Sequence, residues 1–163
     1  MTTEPATQDV PHIPVMLDEI VAALAPKAGG RYLDGTLGLA GHSLGLLRAS
    51  GGKANLLCLD RDEQALALAT ERLKEFPGQS TALYTPFSGF EDALAQVGWD
   101  KLDGAVLDLG VSSLQLDEAE RGFSFMADGP MDMRMDATGD MDSARVLVNR
   151  EHYEELRRII RDL

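Results

Sequence analysis

The chain is short of basic residues, almost without cysteine, and has no long apolar run. Lys and Arg total 15 against 27 Asp and Glu, a formal net charge of −12 over 163 residues. A chain that grips phosphates normally leans the other way, so composition alone argues against nucleic-acid binding. The deficit is uneven: residues 117–142 hold eight acids against Arg121 and Arg134, a net of −6. The single cysteine, Cys58, excludes an internal disulfide and fits a reducing compartment. No apolar stretch approaches the roughly 20 residues that span a bilayer. The first ten residues carry Glu4 and Asp9 but no Lys or Arg, unlike a signal or transit peptide. A soluble cytoplasmic protein is expected.

What remains is ordinary globular composition, 44% hydrophobic and 26% charged, long enough for one domain or part of one. Strand and helix signals alternate. Residues 13–24 place Leu17, Ile20, Val21 and Leu24 on one helical face, with Pro14 suited to the first turn and Gly29-Gly30 as the stop. A short strand is expected at 31–34 and a helix at 42–49, closed by Gly51-Gly52. Residues 54–60 (ANLLCLD) are nearly all apolar, as in a strand buried on both faces of a parallel sheet. A helix at 63–76 ended by Pro77-Gly78, a strand at 81–84, a helix at 90–97 and a strand at 102–109 complete the series. This predicts a doubly wound, Rossmann-like α/β sheet of about four parallel strands. Residues 110–141 show no period of either kind and read as a long functional loop. A helical stripe through Tyr153, Leu156, Ile159, Ile160 and Leu163 closes the chain. No internal repeat is visible.

The sharpest local pattern joins Asp34, the glycines at 35, 38 and 41, and Asp60. A glycine-rich turn after the first strand lets a nucleotide-bearing ligand approach the backbone at a helix start. Asp60 ends the second strand, where an acid accepts hydrogen bonds from both ribose hydroxyls. The pattern fits S-adenosyl-L-methionine or NAD. The spacing lacks the pyrophosphate fingerprint G-x-G-x-x-G, which favours the former. Plainer readings stand beside it: a packing turn for the glycines, a helix N-cap for Asp60, a capping or surface role for His42, a buried hydrophobe for Cys58. His12, His42 and His152 are far apart, so no metal site is expected.

Several long motifs then carry a resemblance. His12-Ile13-Pro14-Val15-Met16-Leu17-Asp18-Glu19 is followed by Tyr32-Leu33-Asp34-Gly35-Thr36-Leu37-Gly38-Leu39-Ala40-Gly41-His42-Ser43. Leu59-Asp60-Arg61-Asp62, Pro86-Phe87-Ser88 and Asp103-Gly104-Ala105-Val106-Leu107-Asp108-Leu109-Gly110-Val111-Ser112-Ser113 come next. Gln115-Leu116-Asp117-Glu118-Ala119-Glu120-Arg121-Gly122-Phe123-Ser124-Phe125 and Asp128-Gly129-Pro130-Met131-Asp132-Met133-Arg134-Met135-Asp136 follow in order. Over about residues 12–163 the chain resembles the ribosomal RNA small subunit methyltransferase H family (MraW).

The resemblance implies an S-adenosyl-L-methionine-dependent enzyme that methylates the exocyclic N4 amino group of a cytosine in the decoding region of 16S ribosomal RNA. By position, Ala40, Gly41, His42, Asp60, Phe87, Asp108 and Gln115 match the family's cofactor contacts. Ser112 and Ser113 become candidates for touching the cytosine, against an ordinary cap or turn. Arg134 becomes a candidate phosphate or carboxylate partner in a cleft wall, against a solvated loop. No catalytic residue is implied. At Leu39-Ala40, where the family commonly has glycine, a positive φ would be strained. The implied organisation is a flexible 1–11, a cofactor-binding 12–110, an active-site loop segment 111–142 and the start of a helical insertion at 143–163.

Four strands are about half of the seven expected of that family. A fragment is therefore expected, one that binds cofactor without catalysis being the alternative to an enzyme. Its fourth strand would form a bare edge and its terminal stripe would lie uncovered. The implied partner is 16S ribosomal RNA or the small subunit, with a local basic path supplied elsewhere.

Overall fold

The computed structural model describes residues 14–162. The elements in order are α1 (Leu17–Leu24), β1 (Arg31–Asp34), α2 (Gly41–Ala49), β2 (Asn55–Asp60), α3 (Glu63–Leu73), β3 (Ser80–Tyr84), α4 (Phe90–Gln96), β4 (Gly104–Val106), α5 (Ser113–Asp117), α6 (Ala144–Arg150) and α7 (Tyr153–Asp162). The four strands form one parallel sheet in the order β3-β2-β1-β4. The chain winds outward from β1 through β2 to β3, then crosses back to lay β4 on the other side of β1. That reversal opens a crevice at the carboxyl ends of β1 and β4, where ligands of such sheets bind.

Alternation along the strands divides the core between two faces. Tyr32, Leu56, Cys58 and Val106 pack with Leu44, Leu46 and Leu47 of α2 and Ala69 and Leu73 of α3. Ile20, Val21 and Leu24 of α1 cover that cluster. Leu33, Leu57 and Leu59 point to the opposite face, under Ala93 and Leu94 of α4 with Val97, Trp99 and Leu102. Helices therefore cover both faces, and β2 is buried throughout its middle, as its apolar run implied.

Several expected boundaries move. Pro14 precedes α1 instead of opening it, and α1 ends at Leu24, before the glycines. Ala25 caps it in the left-handed region because Pro26 disfavours a helical residue before it. The third helix stops at Leu73, three residues short of Phe76. β4 keeps three ladder residues of the eight expected, since β1 is its one partner among the described residues. The aperiodic stretch 110–141 contains α5 and a short 3-10 turn, Ala119–Arg121. α6 was not foreseen as a separate helix. Along α7, Leu156 and Ile159 are half-buried while Tyr153 and Ile160 stand exposed. Residues 1–13 and Leu163 lie outside the described residues. Among those described, no helix is long and apolar enough to cross a membrane.

Candidate functional site

β1 delivers Asp34 to the sheet's carboxyl edge, and residues 35–40 turn there before α2. The turn is held by its neighbours on both sides: Gly35 N–H donates to Val106 O at 3.0 Å and Leu37 N–H to Leu59 O at 3.0 Å. Thr36 joins the turn to the strand beyond, its Oγ1 accepting from Asp108 N–H at 2.7 Å. Gly38 has φ +50° and Ala40 φ +62°. Ala40 thus occupies the left-handed conformation that its side chain makes costly, the strained case that the sequence raises.

At two of these positions a Cβ would press on a neighbouring side chain. A Cβ on Gly35 would lie 2.4 Å from Leu107 Cδ2 and 3.1 Å from Phe87 Cβ; one on Gly41 would lie 2.2 Å from Pro14 Cγ. Segment 14–15 is thereby drawn over the start of α2. His42 fastens it, its Nε2 lying 3.0 Å from Val15 O with the residue only 6% exposed. His42 is neither a surface nor a capping residue.

Asp60 crosses the cleft from the tip of β2. Its Oδ2 accepts from Gly38 N–H at 2.7 Å and its Oδ1 from Asp62 N–H at 2.9 Å. It is not the cap of α3. That role belongs to Asp62, whose Oδ1 accepts from Gln64 and Ala65 N–H. Burial pushes the Asp60 carboxyl above its ordinary value, and the two backbone donors offset this only in part. A group that would relieve the cost must donate hydrogen bonds to the ionised form.

The remaining wall comes from loops. Phe87 sits in a 3-10 turn after β3 with 44% of its surface open. Asp108 follows β4 with an exposed side chain. Ser112 caps α5 in a reciprocal pair: its Oγ accepts from Gln115 N–H at 3.2 Å, while Gln115 Oε1 accepts from Ser112 N–H at 3.1 Å. Gln115 Nε2 also donates to Asp62 Oδ2 at 3.0 Å, so this side chain is spent largely inside the protein.

Together these residues enclose a cleft of about 500 Å³, lined by Gly41, His42, Asp60, Phe87, Asp108, Ser112, Ser113, Gln115 and the turn from Gly35 to Leu39. Its size lies within the range of small-molecule sites. Ala40, wholly buried, supports the turn from beneath without lining the cleft. Arg134 is also not part of the lining. Its guanidinium pairs with both oxygens of Asp132 at 2.9 and 2.8 Å and reaches Gly139 O and Met141 O. Its neighbour Met135 reaches the cleft instead.

Two features had no sequence signal strong enough to find them. Asp62 carries an N-cap signature, an acid just before a helical pattern, yet its second oxygen binds Arg121 from 59 residues away. Tyr84 donates to Asp136 Oδ2 at 2.5 Å, tying the tip of β3 to the long loop.

A family model described as the MraW methylase family matches residues 9–163. Ribosomal RNA small subunit methyltransferase H of Maridesulfovibrio salexigens is 57% identical over 150 residues, 92% of this chain and 46% of that protein. The enzyme of the same name from Nitratidesulfovibrio vulgaris is 53% identical over 160 residues, 98% of this chain and 44% of its own. The chain thus spans about half the length of these relatives. The solved structure of PH0851 shares the fold over 59% of this chain and 21% of its own, with a TM-score of 0.50 at 18% identity. With motif order, sheet topology and family match all in agreement, the chain belongs to the MraW methylase family.

Proposed function

We propose that the chain binds S-adenosyl-L-methionine across the tips of β1, β2 and β4. It thereby forms the cofactor-holding part of an enzyme that methylates the N4 amino group of a cytosine in the decoding region of 16S ribosomal RNA. One observation carries the reading: a cleft at the β1/β4 switch point, with a glycine turn on one side and a half-buried carboxylate, Asp60, opposite.

The residues present fit that cofactor. A Cβ at Gly41 would meet the Pro14 ring at the cleft's edge, and one at Gly35 would press on Phe87. Each Asp60 oxygen accepts one backbone hydrogen bond and keeps further lone-pair capacity for a vicinal diol. Phe87 offers an apolar face for a purine. When bound, the cofactor would supply a sulfonium methyl group whose carbon an amine can attack, with the sulfur leaving as the neutral thioether.

The chain's own contribution is placement. Thr36 fixes the backbone at Asp108, so the Asp108 carboxylate stands at the cleft beside the Ser112 and Ser113 turn, the side from which the base enters. A cytosine amine conjugated with its ring is a poor nucleophile, and acceptors at this edge favour its more pyramidal form. A paired base cannot present that nitrogen, so the target must be unpaired or extruded. Most of the rate enhancement then comes from alignment. The substrate implies action in the cytoplasm, on 16S ribosomal RNA or the small ribosomal subunit.

Tritiated methyl transfer to small-subunit RNA lacking the modification tests the reading. Wild type should label the RNA, and Asp60→Ala and Asp108→Ala should each lower labelling by roughly tenfold or more. Calorimetry with S-adenosyl-L-methionine against NAD separates the cofactor from the reaction. Binding without transfer leaves a cofactor-binding piece; tighter binding of NAD overturns the proposal.

A further inference from the structure

Arg121 and Asp62 form an ion pair of 2.8 Å with side chains only 7% and 6% exposed. The Asp62 carboxylate is saturated. Oδ1 takes Gln64 N–H at 3.1 Å and Ala65 N–H at 3.3 Å; Oδ2 takes Gln115 Nε2 at 3.0 Å and Arg121 Nη2 at 2.8 Å. Arg121 Nη2 reaches onward to Met135 O at 2.8 Å and Arg134 O at 3.3 Å, while Arg121 O accepts from Met133 N–H at 3.0 Å. The Arg121–Asp62 pair therefore joins three pieces: the guanidinium bonds the β2–α3 turn and the carbonyls of residues 134 and 135, and the Asp62 carboxylate bonds α5 through Gln115. Each of these three pieces reaches the cleft, through Asp60, Gln115 and Met135.

The arrangement has little freedom to relax. A Cβ on Gly122 would lie 2.2 Å from Pro130 O, and one on Gly129 2.1 Å from Ala119 O. The turn bearing Arg121 is thus in backbone contact with the loop it holds. A buried ion pair gains little net stability over well-packed apolar groups, so stability alone does not account for its placement. Its geometry does: Nη2 alone bridges the Asp62 carboxylate and the Met135 and Arg134 carbonyls, holding turn and loop at a fixed spacing, while the buried Nε has no partner among the described residues.

We infer that Arg121 is a positioning residue for the cleft, acting through Asp62 to fix the Asp60 carboxylate. The route to Asp60 is short, since the Asp62 N–H itself donates to Asp60 Oδ1 at 2.9 Å. The inference rests on the proposed cofactor reading, in which Asp60 receives the ribose hydroxyls.

The test titrates the full chain with S-adenosylhomocysteine and with its 2′-deoxy analogue, well below each variant's melting temperature. Arg121→Met should weaken S-adenosylhomocysteine about tenfold but the deoxy analogue by about twofold or less, because the loss passes through Asp60. Arg121→Lys should recover most of the affinity. Asp62→Asn, nearly isosteric, should reproduce the ribose-selective loss and decides the matter should Arg121→Met fail to fold. Folded variants that lose nothing, or lose equally for both ligands, overturn the positioning role while leaving the cofactor reading intact. A wild type that binds neither ligand overturns both.

Discussion

Ser43 Oγ donates a 2.7 Å hydrogen bond to Asp34 Oδ2, joining the first turn of α2 to the last residue of β1 where Asp34 is 1% exposed. Thr36 N–H supplies a second donor at 3.2 Å to the other oxygen. These bonds do not compensate the burial, which holds the Asp34 carboxyl above the ordinary value for an aspartate. A carboxyl raised on folding contributes its stability below the unfolded value and loses it as pH rises through the folded one. Asp34→Asn removes that titration. The melting temperature of the variant should therefore improve relative to wild type as pH increases from about 4 toward neutrality. A difference between the two proteins that stays constant with pH would refute this account of Asp34.

Ala40 carries a backbone cost at φ +62° in a place where it is fully buried. The left-handed conformation costs a non-glycine residue about 1–2 kcal/mol. Its buried methyl returns about 0.8 kcal/mol. Ala40→Gly should thus stabilise the chain by up to about 1 kcal/mol, read from urea unfolding. Cofactor affinity should be unchanged, because Ala40 does not line the cleft. Destabilisation by the same amount would mean that the methyl packs better than its backbone suffers.

Gly35 separates fold from function more sharply. A methyl there meets the mobile end of Leu107, which is 48% exposed and can turn away, but also Phe87 Cβ at 3.1 Å. The first contact is cheap to relieve; the second shifts the apolar wall of the cleft. Gly35→Ala should cost about 1 kcal/mol in stability and weaken S-adenosylhomocysteine roughly tenfold in a calorimetric titration. An unaltered affinity would remove Phe87 from the site.

The parallel sheet was legible because apolar runs report burial directly. Residues 54–60 and 31–34 became β2 and β1 nearly as read, and the face through Leu17, Ile20, Val21 and Leu24 is the half-buried one. β4 was read too long because Leu107 and Leu109 are apolar, yet they leave the sheet exposed on their way to the cleft. The stretch from 110 to 141 was opaque for a different reason. It is held by polar bonds such as Arg121 to Asp62 and Tyr84 to Asp136, and hydrogen bonds across more than 50 residues leave no periodicity. Arg134 shows the same limit: its motif drew attention, but nothing in residue order indicated that Asp132, two positions earlier, would occupy it.

Asp60 gives the most direct reading of the cleft. Burial raises its carboxyl, and ribose hydroxyls donating to it would stabilise the charged form, so ligand binding must draw the titration back down. Affinity for S-adenosylhomocysteine should then fall as pH drops from neutrality through the raised value. Asp60→Asn should bind roughly ten- to a hundredfold more weakly at neutral pH, since bonds to a charged acceptor are lost. Its affinity should also be nearly flat over the same pH range. His42, Asp62 and Asp108 line the same cleft and are common to both proteins, so the difference between the two profiles isolates Asp60. A wild-type profile as flat as that of the variant would show that no donor from the ligand reaches this carboxylate.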